Sequence, residues 1–514
     1  MSYTDRRARR SPGPAPIPRS GLSRRSLLLA AAGGLGGLTL SACTNPRTPG
    51  SVSATAIAEA EARRTHSGRT RAFALKAAPA RVDLGGVLVN TWAYDNAVPG
   101  SVLRASVGDE LAVTVSNLLP EPTSVHWHGI AHRNDMDGVS PATRDIPAQS
   151  DFTYRFSVPD AGTYWFHPHV GLQADTGLYA PLLIDDPNEP LRYDEEWVVV
   201  LDDWLDGTGL SPKSVYEKLR AGSATPMSGM SGMDHGPMGA SSGGSLLGND
   251  GGDVAYPHYL VDGRVASAPT VFSAKPGQRV RLRIINAGAD TAFRVAVDGH
   301  QLQVTHTDGF PVEPTTVDAL LVGMGERYDA ILVAKDGVFP LMAAAEGKQG
   351  FGMAMLRTSP TTATPSGSVP PRELTGRVGT VADFVAASSV LLPNRRPDVT
   401  LPVDLGGDMG SYRWTINGRP FEDTEPLQVE RGQRVRLTFA NRTMMWHPMH
   451  LHGHTFQVVG KDGQAGPRKD TVIVTPMQTV AVDLVADNPG RWMVHCHNAY
   501  HQEAGMMGRL DYRS

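Results

Sequence analysis

Three segments of the chain share one pattern, and this repeat constrains the fold more than any other feature. Each has a turn glycine, a strand with apolar residues at alternate positions, and then asparagine; the segments are Val107–Asn117, Pro276–Asn286 and Arg431–Asn441. Alternating apolar residues are typical of strands with one buried face. The segments recur at domain-sized intervals. The sequence therefore predicts three copies of one β-sandwich domain within the 514 residues.

Composition between the repeats indicates the domain boundaries. We predict domains at 71–190, 191–360 and 373–514, because residues 358–371 are rich in Thr, Pro and Ser. A Met-rich loop at 226–240 belongs to the second domain, and residues 44–70 are predicted to be a flexible tether. The net charge of −4 gives no case for nucleic-acid binding.

Ten of the 17 histidines fall into four clusters. The clusters are His126-Trp-His128, His167-Pro-His169, His447-Pro-Met-His450-Leu-His452, and His495-Cys496-His497 followed by His501. His126 and His450 are 324 residues apart, the same spacing as Gly108 and Gly432 of repeats one and three. His167 and His495 are 328 apart, as are Gly162 and Gly490. Residues i and i+2 of a strand point the same way. Eight imidazoles are therefore predicted to converge between these two repeats, with room for three metal ions and oxygen.

Repeat three carries a further set of possible ligands, which repeat one lacks. The set is His447, Cys496, His501 and Met506, where repeat one has Thr123, Pro168, Gln173 and Leu178. Two imidazoles, a thiolate and a weak axial thioether form a blue-copper site, whereas zinc usually prefers four close ligands. Because Cys496 alternates with His495 and His497 along a strand, it connects this site to the eight-imidazole cluster through a few covalent bonds.

These motifs resemble the multicopper oxidase family over nearly all of the chain from about residue 70. The resemblance implies an all-β fold of three consecutive cupredoxin-like Greek-key domains and four coppers per chain. It also implies that a reductant is oxidised at a type 1 copper and that O2 is reduced to water at a trinuclear cluster. It assigns His126 and His450 to the type 2 copper, and assigns to the type 3 pair His128, His167, His169, His452, His495 and His497.

Reduction of O2 consumes protons, so an acid is expected near the cluster. Asp137, in Met136-Asp137-Gly138, occupies the position of a family acid, although aspartate before glycine is also a common turn residue. Family oxidases often carry glutamate immediately after the last type 1 histidine. Gln502 takes that place here, which leaves a second proton donor unassigned.

Two features bear on the reductant. The Met-rich loop contains Met227, Met230, Met233 and Met238, and thioethers are soft ligands that select Cu(I). It resembles the Met-rich insertions of bacterial copper-resistance oxidases; the alternative is a flexible linker. Asp470 matches a family segment near the type 1 copper and could orient a cationic substrate, or it could be a structural strand-end residue.

Three functions remain open. The first is oxidation of cuprous ion in copper tolerance, the second is laccase-like oxidation of phenols or other organic reductants, and the third is copper buffering without catalysis. The full histidine set with Cys496 argues against a buffer, because a buffer needs no path for electrons. A copper nitrite reductase needs no eight-histidine cluster. We expect a monomer.

The N-terminus is predicted to be an export address. Ser23-Arg-Arg-Ser-Leu-Leu28 resembles a twin-arginine signal, and Leu40-Ser-Ala-Cys43 resembles a lipobox. Residues 1–43 would then be the signal, and lipid on Cys43 would hold the protein at the outer face of the cytoplasmic membrane, in the periplasmic or cell-wall space. The alternative is a plain signal peptide with an incidental cysteine. With Cys43 lipidated, Cys496 would be the one remaining thiol.

Overall fold

The computed structural model describes residues 52–222, 245–359 and 369–513. Within these ranges the chain is mostly strand, which confirms the all-β prediction. The signal with Cys43, the start of the tether and the whole Met-rich loop with its four methionines lie outside the described residues. No helix among the described residues is long and apolar enough to cross a membrane.

The first domain is a sandwich of two four-stranded sheets, with strand orders β2-β1-β4-β6 and β3-β8-β7-β5. Its strands are β1 Thr70–Asp83, β2 Leu88–Tyr94, β3 Leu103–Ser106, β4 Glu110–Asn117, β5 His126–His128, β6 Ser150–Ser157, β7 Gly162–His167 and β8 Ala180–Asp185. The alternating residues Leu111, Val113 and Val115 of the first repeat are fully buried between the sheets, as their pattern predicts.

The second domain packs a seven-stranded sheet, order β11-β10-β9-β13-β18-β15-β16, against a six-stranded one, order β12-β20-β19-β14-β17-β21. Its strands are β9 Glu195–Trp204, β10 His258–Val261, β11 Arg264–Val265, β12 Thr270–Ser273, β13 Arg279–Asn286, β14 Phe293–Val297, β15 Leu302–Thr307, β16 Phe310–Val317, β17 Ala319–Val322, β18 Arg327–Val333, β19 Val338–Ala345, β20 Phe351–Arg357 and β21 Val378–Gly379.

The third domain has sheets of order β23-β22-β25-β30-β27-β28 and β24-β32-β31-β26-β29. Its strands are β22 Val399–Asp408, β23 Arg413–Ile416, β24 Leu427–Val429, β25 Arg434–Asn441, β26 His447–Leu451, β27 Phe456–Val459, β28 Ala465–Lys469, β29 Thr471–Val474, β30 Thr479–Val485, β31 Arg491–Cys496 and β32 Met507–Tyr512. Because β21 still pairs with β17 of the second domain, the third sandwich begins later than the predicted residue 373.

The described α-helices are α1 Ala54–Ala62, α2 Pro212–Arg220 and α3 Ala499–Glu503. Helix α1 corrects the prediction of a flexible tether over 44–70. It has an alanine-rich sequence with high helix propensity, and the Ser53 side chain caps it by accepting from a backbone N–H. Glu61 accepts from Ser157 of the first domain, and Arg64 donates to Asn488 of the third. The described part of this segment is thus fixed to two domains.

Candidate metal centre

The paired histidines of the first and third domains lie on equivalent strands. In the first domain β5 is antiparallel to β7, with His126 opposite His167. In the third, β26 is antiparallel to β31, with His450 opposite His495. Within each domain, therefore, two paired strands bring two histidine pairs together. His169, His452 and His497 lie just beyond the ends of their strands.

The two faces meet at the boundary between the first and third domains. The ring centroids of His126 and His452 are 3.7 Å apart, and those of His128 and His450 are 3.8 Å apart, both in stacked pairs. Asn134 of the first domain joins the boundary, because its amide donates to the Arg491 carbonyl at 2.8 Å. The structure thus brings all eight predicted imidazoles into one cluster, in which seven residues are buried and His169 is partly buried. We call it the histidine cluster; its members are His126, His128, His167, His169, His450, His452, His495 and His497.

Inward-facing nitrogens of the histidine cluster are chemically suited to metal ions. Buried nitrogens without a hydrogen-bond partner are Nε2 of His126, His167 and His450, Nδ1 of His128, and both ring nitrogens of His497. An unmatched buried polar atom is costly, so several in one place indicate a missing partner. Subsets of three imidazoles have nitrogens within 4.8 Å of one another, and a metal ion could complete them.

The opposite nitrogens of these rings are held by the protein. His167 Nδ1 lies 2.9 Å from the Pro168 carbonyl, and His450 Nδ1 lies 2.9 Å from the Asp470 carbonyl. Such contacts fix the tautomer and orientation of a metal-binding imidazole. Burial also lowers the pKa of His167, which favours the neutral ring that can bind a metal.

The second predicted site is also assembled. Cys496 Sγ lies 3.6 Å from Nδ1 of both His447 and His501, and these two nitrogens are 3.1 Å apart. All three residues are fully buried. Met506 is buried as well, and its backbone exchanges hydrogen bonds with Cys496 and His501. This soft donor set, called the cysteine site below, fits a copper ion.

The strand β31 connects the two sites. Its last residue, Cys496, belongs to the cysteine site, whereas His495 Nε2 lies 3.0 Å from His452 Nε2 and 3.3 Å from His169 Nε2 in the histidine cluster. Adjacent residues of a strand point to opposite faces, which explains how neighbours in sequence serve different sites.

Asp137 lies against the histidine cluster. It is fully buried at the end of a 3₁₀ helix, and its carboxylate is 3.0 Å from Nδ1 of His452 and 3.3 Å from Nδ1 of His126. Gly138, with φ of +78°, follows it, and a Cβ there would collide with the Val125 carbonyl. Asp137 therefore occupies a tight turn and also contacts two imidazoles.

The prediction that Asp470 orients a substrate beside the cysteine site is wrong. Its carboxylate is completely buried, lies 3.0 Å from His128 Nε2 in the histidine cluster, and forms a bidentate ion pair with Arg327. An ion pair at full burial leaves no carboxylate oxygen for an external cation.

Two contacts of the cysteine site were not predicted from the sequence. Asp253 of the second domain lies 2.9 Å from His501 Nε2 and accepts from the Tyr412 hydroxyl at 2.6 Å. Thr443 Oγ lies 2.8 Å from His447 Nε2. Asp253 comes from a segment without a motif, so no sequence signal pointed to it.

Gln502 borders a narrow cavity of about 10 Å³ that also touches His167 and His497. This volume matches about one water molecule. Gln502 offers an amide to this cavity, so among the residues that line it no carboxylic acid stands beside the imidazoles.

Comparison with known sequences agrees with this geometry. Multicopper oxidase family profiles match residues 77–189, 195–361 and 394–514. The chain belongs to the multicopper oxidase family, whose members are copper-dependent oxidoreductases.

Several individual proteins are similar to this chain. The chain is 56% identical to multicopper oxidase MmcO of Mycobacterium tuberculosis, covering 95% of this chain and 96% of the relative. It is 29% identical to a copper resistance protein A homolog of Pseudomonas syringae, covering 84% and 91%. Among solved structures, a laccase variant from B. aclada superposes with a TM-score of 0.73 at 26% identity, covering 87% and 88%. These neighbours confirm the three cupredoxin-like domains.

Proposed function

We propose that this oxidase takes electrons from a reductant at the cysteine site and reduces O2 to water at the histidine cluster. The observation that supports this most is the single strand β31, which contributes Cys496 to one site and His495 to the other. We assign one type 1 copper to His447, Cys496, His501 and Met506. The histidine cluster would hold one type 2 and two type 3 coppers, for four per chain.

Copper bound in these donor sets would supply one-electron chemistry between Cu(I) and Cu(II). The chain contributes the path and the protons. Cys496 is bonded through the backbone to both His495 and His497, so the chain would offer an electron a path of a few covalent bonds between the two sites. Asp137 touches His126 and His452 and is suited to hold a proton beside the place where O2 would be reduced.

We propose Cu(I) as the reductant. A relative is named a copper resistance protein. Met444, which is 69% exposed, directly follows Thr443, whose hydroxyl contacts His447. Thioethers bind Cu(I) preferentially. The fully buried imidazole of His501 is shielded by the buried side chains of Asp253 and Tyr412, so a bulky phenol has no direct contact with it.

Laccase-like oxidation of phenols is the second candidate, because laccases are among the similar proteins. Oxygen uptake should be measured side by side with Cu(I) and with a small phenol. Faster uptake with Cu(I) at equal concentration is the expected result. Uptake with the phenol alone would replace the cuprous proposal by the laccase-like one.

The Met-rich loop is proposed to raise the local Cu(I) concentration. Its described flanks support this: Tyr216, before the loop, donates to the Glu503 carbonyl, and Asp253, after it, contacts His501. Replacing Met227, Met230, Met233 and Met238 by serine should raise KM for Cu(I) roughly tenfold, because a tethered binding site is lost. Oxidation of a small phenol should not change.

The matched control for this loop is Ser228→Ala with Ser231→Ala, which changes the same segment without removing a thioether. Its Cu(I) kinetics should equal those of the unaltered chain. If the methionine variant also keeps its KM for Cu(I), the loop is a linker; if it loses activity on both substrates equally, the effect is on folding.

We also propose that the protein is exported as a monomer and is held by a lipid anchor at the outer face of the membrane. Export and anchoring rest on the twin-arginine pattern and the lipobox of the sequence. Cys43→Ser should shift the protein from the membrane fraction to the soluble exported fraction, because a single acylated cysteine would be lost. Equal recovery of both forms in the soluble fraction would show that Cys43 is incidental.

The double substitution Arg24→Lys with Arg25→Lys tests the export signal. This variant should be retained inside the cell.

A further inference from the structure

Arg327 of the second domain is buried where all three domains meet. Its side chain is completely inaccessible to solvent. Its Nε donates to the Thr163 carbonyl of the first domain at 3.0 Å, and its two terminal nitrogens donate to the carboxylate of Asp470 in the third domain at 2.7 and 2.6 Å. The Gly325 and Asp308 carbonyls accept the other two N–H groups. All five donors of the guanidinium are thus satisfied.

Asp470 extends this contact to the histidine cluster. The carboxylate oxygen that accepts from Arg327 at 2.7 Å lies 3.0 Å from Nε2 of His128. A carboxylate accepts hydrogen bonds, so His128 must carry its proton on Nε2. Its unpartnered Nδ1 then faces the cluster, whereas His126, His167 and His450 present Nε2. His128 is therefore held in the opposite orientation to these three rings.

Two glycines provide the space for this arrangement. Gly129 follows His128 with φ of +86°, and a Cβ there would collide with the Arg327 guanidinium and lie 2.6 Å from the Asp470 carboxylate. Gly325, two residues before Arg327, has φ of +82°, and a Cβ there would lie 2.9 Å from ring carbons of both His128 and His497. Both glycines thus allow the backbone to lie close to the ion pair and to the neighbouring imidazoles.

We propose that Arg327 is a positioning residue for the copper cluster: by fixing the Asp470 carboxylate it sets the tautomer of His128. The middle domain thereby controls a site to which its described residues give no ligand. This inference rests on the proposed assignment of His128 as a copper ligand. A bidentate guanidinium fixes both the place and the plane of a carboxylate, which a lysine ammonium cannot do.

The test compares copper retention by the holoenzyme of Arg327→Lys and Arg327→Gln with that of the unaltered chain, during titration with a copper chelator. Loss of an outer contact of a metal ligand typically weakens metal affinity 10- to 100-fold. We therefore expect the affinity for copper in the histidine cluster to fall about 10-fold or more. The blue absorption of the type 1 copper should be retained at the same chelator concentration. The glutamine variant, which also removes the counter-charge, should lose copper more readily than the lysine variant.

Arg283→Lys is the matched control. Arg283 is also a buried second-domain arginine that reaches Thr163 of the first domain, at 2.9 Å, but its other contacts are Glu196 and Asp329 and not an imidazole. It should retain its cluster copper. If the control loses as much copper, or if blue absorption is lost together with cluster copper, Arg327 has only a general role in packing the domains together. Unchanged copper retention in both Arg327 variants would also overturn the proposal.

The proposed function fails in a different way. If the unaltered chain binds no copper at the histidine cluster, the ligand assignment is wrong whatever the variants do. If it binds copper there and Arg327→Lys and Arg327→Gln leave its retention unchanged, only the positioning role is lost.

Discussion

Replacing Cys496 by serine is expected to abolish both the blue colour and the oxidase activity while the fold is retained. The blue colour requires copper bound by a thiolate, and a serine hydroxyl does not supply one. The same change removes the covalent path from the cysteine site to His495 and His497. Serine differs from cysteine by one atom, and Cys496 is fully buried in β31, so the change costs on the order of 1–3 kcal/mol for an imperfectly bonded hydroxyl. Absorption spectra, oxygen uptake and thermal unfolding measure the three outcomes.

Met506→Leu is the matched control for Cys496→Ser. It removes the weak axial thioether from the same site and keeps the thiolate, so the protein should remain blue with an altered reduction potential. A Cys496→Ser protein that stays blue, or that turns over at the normal rate, would exclude Cys496 as the type 1 ligand.

Asp137→Asn is expected to slow O2 reduction by about 100-fold, the lower range of what a positioned acid contributes. Reduction of the type 1 copper by substrate should stay fast, because Asp137 contacts His126 and His452 and not the cysteine site. Stopped-flow reduction without oxygen, followed by mixing with O2, separates these two steps.

Asp135→Asn provides the comparison for Asp137→Asn. Asp135 lies in the same 3₁₀ helix, but it is partly exposed and pairs with Arg133, so its substitution should leave both steps unchanged. Normal turnover in Asp137→Asn would make Asp137 a turn residue only, and a slow type 1 reduction would indicate disturbance of the whole protein.

The sequence predicts the fold and the histidine cluster because both follow from the repeated domain type. It predicts the cysteine site because the ligands of that site lie beside the repeated histidines in the third domain. The spacing of His126 from His450 equals that of the repeats, and strand alternation places His495 and Cys496 on opposite faces. Each of these inferences needs only local periodicity and the equivalence of the first and third domains.

The contacts that surround the clusters could not be predicted in this way. Arg327 and Asp470 are 143 residues apart in different domains, and no pattern in either segment shows that they meet. The sequence pattern consequently indicates the wrong site for Asp470. The sequence does not indicate helix α1 for another reason: its alanine-rich segment has few large apolar residues and so resembles a linker, although Glu61 and Arg64 fix it to the domains.

The most direct test of the proposed function is the copper content of the purified chain, measured together with its absorption spectrum during one cycle of reduction and reoxidation. We predict four coppers per chain and a blue band that disappears when Cu(I) or another reductant is added without oxygen and returns when O2 is admitted. A copper-loaded chain that is colourless, or a blue chain that holds a single copper and is not reoxidised by O2, would contradict the account.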